Sequence, residues 1–426
     1  MRTLFLTLSI ALATVTASAQ QWMRVWQGGE STRYALTDVV TMPYASAGST
    51  ITINGTNYST ASIDSITIVN PVTITWDGTS AKVDVPANVE GVTYTVDGGH
   101  VVINNVNIAT EQEFILSGTS TDGSLTYNGA YKCKFHLNGV NLTSTTGAAL
   151  DIQCGKRIDL DIMSGTENML EDCTGGSQKA ALNCKGHMEV SGGGSLTVAG
   201  NTAHAIRSNE YLLLKKSVGN ITVTKAVNDA IHCGEYFTMN GGTITLSGYG
   251  SDGLQMETEA DSEEPENGIF TINNGNINIT HSAAGSKAIR ADSTIAVMNI
   301  NGGTIGIDLT ASASDAKGIA CDGNINIGQS NATTTININV AGNGYDDDND
   351  EKIRTVGIKS DDTVTINDGT ITINATGKYS RGMRAATLIV NGGTTIVTNT
   401  GTSSQGIKLD NTVQLNGGTI SAKFKY

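Results

Sequence analysis

The chain has 426 residues, and its 40 acidic against 26 basic side chains give a formal charge of −14, which excludes nucleic acid as an electrostatically driven partner. Fifty glycines stand beside only four prolines, and charged residues make up 15%. Glycine therefore punctuates turns while nearly every backbone N–H stays free for a ladder. No stretch holds a helical period over several turns, so the expected class is all-β.

In chain order, Arg2, the apolar run Leu4 to Val15 and Ala17-Ser18-Ala19 before Gln20 read as a secretory signal over residues 1–19. The run is too short to span a membrane. No cysteine follows the cleavage site, so a lipid anchor is not expected there. The mature chain is expected outside the cytoplasm, as a secreted, periplasmic or cell-surface protein, and as a monomer without a transmembrane segment. Residues 20–70, with Trp22, Trp26, Tyr34, Pro43 and Tyr44, read as a small β leader. Its runs Met23-Arg24-Val25-Trp26 and Asp64-Ser65-Ile66-Thr67-Ile68 resemble leader modules of exported proteins of gut Bacteroidetes. Residues 71–135 carry alternating strands, such as Val72-Thr73-Ile74-Thr75-Trp76, that begin or cap the repetitive region.

Residues 136–426 are repetitive. A small residue followed by a large aliphatic returns as Ala149-Leu150, Ala181-Leu182, Ala205-Ile206, Ala230-Ile231, Gly253-Leu254, Ala288-Ile289, Gly318-Ile319, Gly357-Ile358, Gly382-Met383 and Gly406-Ile407. Asn-Gly-Gly-Thr-Ile starts at Asn240, Asn301 and Asn416, with looser copies at Asn367 and Asn391. The step from Ile206 to Ile231 is 25 residues, and that from Met383 to Ile407 is 24. Such a unit fits three short strands and three turns, so a parallel β-helix of about ten coils is expected. In Thr243-Ile244-Thr245-Leu246 and Thr370-Ile371-Thr372-Ile373 the aliphatics face inward. The asparagines should stack, each amide bonding the next coil. Longer steps mark two acidic insertions, Glu257 to Glu264 and Tyr345 to Glu351.

Cys184, Cys233 and Cys321 fall two places after their aliphatic residue, an inward position on non-neighbouring coils. They are expected as buried thiols, since stacked strands lie about 4.8 Å apart and only neighbouring coils come within disulfide reach. A bridge among Cys133, Cys154 and Cys173 stays open.

With the aliphatic residue as position zero, position one should face solvent and reads Arg207, His232, Gln255, Arg290, Ala320, Lys359, Arg384, Lys408. Position three reads Asn209, Gly234, Glu257, Asp292, Asp322, Asp361, Ala386, Asp410. A basic column beside an acidic one is either a ladder of cross-strand ion pairs or a track for an extended anionic or hydroxyl-rich polymer, whose carboxylates arginine grips in a bidentate way. On the second reading, Arg290→Ala with Arg384→Ala weakens retention on polygalacturonate. Tyr249 and Tyr379 precede their Gly–aliphatic pairs and are expected at one corner, as sugar-stacking faces or as plain packing, with Tyr345 at a comparable place. Asp346, Asp348, Asp350 and Glu351 are candidate calcium ligands on a flexible loop, though the glycine and final glutamate of an EF-hand are missing, and a merely solvated acidic loop is the alternative. The six histidines show no metal-binding spacing such as H-E-x-x-H; His204 and His232 fall on adjacent coils, where they can come near one another, but two surface histidines make no catalytic case.

From Val72 onward the chain resembles the carbohydrate-binding domain family of exported, pectate-lyase-like right-handed β-helices of Clostridia and Bacteroidetes. The resemblance is carried by Leu116-Ser117-Gly118-Thr119-Ser120-Thr121-Asp122-Gly123-Ser124-Leu125, Leu137-Asn138-Gly139-Val140-Asn141-Leu142, Gly165-Thr166-Glu167-Asn168 and Val356-Gly357-Ile358-Lys359-Ser360-Asp361. It implies binding of plant cell-wall polysaccharide, cellulosic or pectic, with calcium held by acidic loops. Pectate lyases of this fold gather calcium carboxylates and an Arg or Lys base in one cleft. Here the charged columns are dispersed, so a non-catalytic binder is expected. A calcium-dependent polysaccharide lyase is the first alternative, and a surface solenoid binding another protein is the second.

Overall fold

The computed structural model describes residues 21–28, 30–36, 50–260, 262–346 and 352–424. The proposed signal segment and Asp348, Asp350 and Glu351 lie outside them. Contacts divide the chain into two units, Met1–Thr73 with Asp84–Glu90, and Ile74–Val83 with Gly91–Tyr426.

In the first unit the strand Trp22–Gln27 is paired antiparallel on both edges, with Glu30–Ala35 and Ser65–Val69. A separate hairpin joins Thr50–Ile53 to Thr56–Ser59. Met23, Val25, Ile53 and Tyr58 form its small core.

The second unit is all strand and turn among its described residues. Its repeats each supply three strands, for example His204–Ser208, Leu212–Leu214 and Asn220–Ala226. Each strand pairs in parallel with its counterpart in the next repeat. The result is three columns, an arrangement consistent with a β-helix or solenoid. The first column runs from Gly99–Asn105 to Gln405–Leu409 and ends on the antiparallel strand Val92–Asp97. The second and third columns share one larger sheet, and the 11-residue strand Cys133–Thr143 serves both.

Register follows from the side chains. Ile244, Ile277, Ile305, Ile336 and Ile371 are successive partners in the third column and are fully buried. A one-residue slip would turn this row to solvent, at about 2 kcal/mol for each isoleucine exposed. Phe237 stacks on Phe270 in the second column with centroids 4.7 Å apart. Outside, amides of successive asparagines bond: Asn273 to Asn240 at 2.9 Å, Asn301 to Asn273 at 2.8 Å, Asn391 to Asn367 at 2.8 Å and Asn416 to Asn391 at 2.7 Å.

The small–aliphatic pair has a steric cause. The aliphatic member is buried in every repeat except the last, where Ile407 is half-buried. Where the small member is Gly253, Gly318, Gly357 or Gly382 it abuts the backbone of the next repeat: a Cβ built on Gly318 would lie 2.5 Å from the Gly357 carbonyl oxygen. All six cysteines are free. Burial pushes the Cys184 thiol up to about 12 and that of Cys321 to about 11, so both act as small apolar residues. The bridge left open among Cys133, Cys154 and Cys173 is not formed.

Candidate functional site: the outer face of the first column

Strand pairing puts Arg207, His232, Gln255, Arg290, Ala320, Lys359, Arg384 and Lys408 in one unbroken row. The row is less exposed than alternation implies, because Gln255 and Ala320 are buried and the others are half-buried or nearly so. Its cations already hold carboxylates two residues along the same strand. Arg290 meets Asp292 at 2.7 Å, Lys359 meets Asp361 at 2.9 Å, and Lys408 meets Asp410 at 2.8 Å. Arg384 crosses to Asp410 of the next strand at 3.3 Å. Arg207 donates to Asn209. Hydrogen bonding from Lys408 chiefly, with Arg384 adding, holds the Asp410 carboxyl below its ordinary value. Asp322 moves the other way, raised by burial and then by its neighbour Asp292.

The tyrosines differ from expectation. Tyr249 is 4% exposed, its hydroxyl bonded to His281 Nδ1 at 2.8 Å, so its ring offers no face to a sugar. Tyr379 is half-buried, with the Arg354 guanidinium 5.0 Å and the Lys378 ammonium 4.6 Å from its ring centre. Tyr345 is exposed, and the strand Tyr345–Asp346 pairs with Lys352–Ile353 at the base of the second acidic insertion. The insertion's expected calcium ligands beyond Asp346 lie outside the described residues.

A second row, two places before each aliphatic residue, escaped the sequence reading. It holds His204, Asp229, Asp252, Lys287, Lys317 and Arg381, linked by main-chain bonds from Ala205 to Asp229, Ala230 to Asp252 and Gly253 to Lys287 and then by strand pairing. Asp252 is its hub. One carboxylate oxygen accepts the Lys287 N–H at 2.6 Å, and the other meets Arg290 at 3.2 Å. His204 and His232 both approach Asp229 Oδ2 through Nδ1, each at 3.1 Å. Burial works to raise the Asp229 carboxyl, but the two imidazoles and the Asp252 amide outweigh it and hold it well below the carboxylate range. Among the described residues two groups have three ligand atoms close enough for one metal ion: this one, and His187 with Glu210 and Glu235. Neither group has a metal-binding spacing in the sequence, and it is the fold that brings its members together. The repeat itself carried the signal, since Asp229 lies one 25-residue step after His204.

A second charged cluster lies on the second column. Lys215 reaches Glu189 at 2.6 Å and Asp159 at 2.9 Å, and Arg157 reaches Glu111 at 3.0 Å. Beside Asp159 in the same strand, Asp161 bonds His136 Nδ1 at 2.7 Å, while Glu113 holds its Nε2 at 2.8 Å. Charge is therefore more gathered here than the sequence implied.

Together these faces present charged and polar side chains at the strand spacing. No helix among the described residues is long and apolar enough to cross a membrane. Comparison with known proteins agrees with the carbohydrate reading. A carbohydrate-binding domain-containing protein of Acetivibrio thermocellus is 28% identical over 138 residues, which is 30% of this chain; the chain spans 48%, about half, of that relative's length. A solved structure described as the polysaccharide lyase-like protein from C. thermocellum, in a gadolinium derivative, is 24% identical with a TM-score of 0.50, covering 62% of this chain and 99% of that one; the likeness is one of fold. The family model of carbohydrate-binding domain-containing proteins matches residues 103–399, and the chain belongs to that family.

Proposed function

We propose that the protein is an exported, non-catalytic polysaccharide-binding protein, built as a right-handed parallel β-helix with the outer face of its first column as the ligand track. The observation that carries this reading is the continuous row from Arg207 to Lys408, polar at every position but Ala320, on a chain of a carbohydrate-binding family. The same row refines the ligand. Arg290, Lys359, Arg384 and Lys408 already share carboxylates, so a bare uronate chain must compete with Asp252, Asp292, Asp361 and Asp410. A hydroxyl-rich, cellulosic chain needs no such exchange, because its hydroxyls both donate and accept. A pectic chain is better served by a bridging cation. Asp346, Asp348, Asp350 and Glu351 remain the proposed calcium ligands, and hard oxygen donors of this kind are what calcium takes.

Retention on cellulose and on polygalacturonate, each with calcium and with chelator, tests the proposal. Binding to cellulose in chelator, with polygalacturonate binding that needs calcium, is the expected pattern. Absence of retention on both polymers would refute it and favour a protein partner. Calcium is also expected to raise the melting temperature, an effect lost in Asp346→Asn/Asp348→Asn; a melt indifferent to calcium and chelator removes the calcium site.

The Arg157–Asp159–Glu189–Lys215 cluster favours one second reading, a polysaccharide lyase, because it gathers bases and carboxylates in one place. Growing absorbance from unsaturated products on polygalacturonate, abolished by Lys215→Ala, would establish it.

A further inference from the structure

Two histidines and one aspartate on neighbouring repeats form a constellation that polysaccharide binding does not require. His204 opens the strand His204–Ser208, and His232 is the central residue of Ile231–Cys233. These strands pair in register, with Ile206 opposite Ile231, and Asp229 enters the second strand beside His204. The two imidazoles lie with ring centres 4.6 Å apart and planes inclined by 31°. Their Nδ1 atoms both lie 3.1 Å from Asp229 Oδ2. His232 makes a hydrogen bond there, but His204 Nδ1 is buried and has no hydrogen-bond partner despite its proximity. The oxygen is in line with His232 and not with His204, so the His204 nitrogen is left over.

We propose that His204, Asp229 and His232 form a binding site for a divalent transition metal of the zinc class. A single ion between the three atoms satisfies them all, taking the lone pair of each Nδ1. Metal bonds of about 2.0–2.1 Å in tetrahedral array put neighbouring ligand atoms about 3.3 Å apart, close to the two 3.1 Å separations seen here. Two imidazoles and one carboxylate suit zinc, cobalt or nickel and are a poor set for calcium, which takes oxygen. The surroundings orient the ligands. Asp229 Oδ1 accepts the Asp252 N–H at 2.9 Å, and Glu257 lies 3.8 Å from the outer nitrogen of His232. Asp229 itself is 4% exposed, so the carboxylate is fixed before any ion arrives. Three protein ligands leave a fourth position for water or a ligand oxygen. His232 belongs to the polar row, so the ion would add positive charge to the track between Arg207 and Gln255.

The test is titration of the full-length protein, freed of metal by chelator, with Zn2+, Co2+ and Ca2+. Calorimetry should show zinc bound with an affinity unchanged by saturating Ca2+, and Co2+ should give the visible absorption of tetrahedral nitrogen–oxygen coordination. His204→Gln with His232→Gln should weaken zinc by about a hundredfold or more, and melting in chelator reports whether the variant is folded. If it melts early, the isosteric Asp229→Asn replaces it. Zinc binding undiminished by these changes, no zinc binding by the wild type, or binding lost only in His187→Gln, which would place the ion at the Glu210–Glu235 cluster, overturns the assignment. Because the readout is metal affinity, polysaccharide retention can fail without affecting it.

Discussion

Two residues show how local chemistry sets stability. Gly303 sits at φ +89°, and a Cβ there would lie 2.5 Å from the Gly275 carbonyl oxygen. The Asn-Gly-Gly phrase made this corner readable in advance, since only glycine adopts such a conformation at no steric cost. Gly303→Ala should destabilise the protein by about 2 kcal/mol in chemical denaturation; an unchanged midpoint would contradict the corner geometry. His281 was not readable. Alternation after Ile277 and Ile279 turns position 281 inward but gives no reason for an imidazole there, and it is the hydroxyls of Tyr249 and Ser286 that satisfy it. Burial pushes its pKa from the ordinary 6.5 down to about 4, so the folded chain binds fewer protons than the unfolded one. Its contribution is therefore fully present above about pH 6.5 and is lost as pH falls toward about 4, amounting to about 3 kcal/mol. His281→Gln should flatten the fall in melting temperature over that window, and a parallel fall in wild type and variant would refute the buried neutral histidine.

At the scale of the strand, the ion pairs divide by burial. Asp252 is 3% exposed at its side chain and Arg290 24%, whereas Arg384, Lys408 and Asp410 are about as open as ordinary surface residues. Removing one partner of a buried pair strands the other charge. Arg290→Ala should cost about 3 kcal/mol, while Arg384→Ala and Lys408→Ala should each cost less than about 1 kcal/mol. Equal losses at all three would show that burial does not govern the ladder. The basic row was legible from the repeat count because one residue step on each strand maps onto the same face. The row containing His204, Asp229 and Asp252 obeys the same arithmetic. It was missed because those residue types change from repeat to repeat, so no single letter marks the position. The His136 cluster had no such signal: Glu113 and Asp161 reach it from strands of irregular length in the least periodic repeats.

For the whole second unit, period was enough to give class and stacking. A small–aliphatic pair every two dozen residues specifies an inward row, and inward rows specify registered columns. What period cannot give is the state of each outward side chain. Tyr249 turned inward onto His281 of the next repeat, a contact that a single repeat does not contain, and the cations took carboxylates two residues along their own strands. The same stacking turns a modest set of side chains into one continuous face. Retention of Lys359→Ala/Arg384→Ala/Lys408→Ala on cellulose, measured beside its melting curve, tests that face most directly. The account predicts a variant that melts like wild type and is held at least about tenfold more weakly, roughly 1.4 kcal/mol; undiminished retention by a fully folded variant would contradict it.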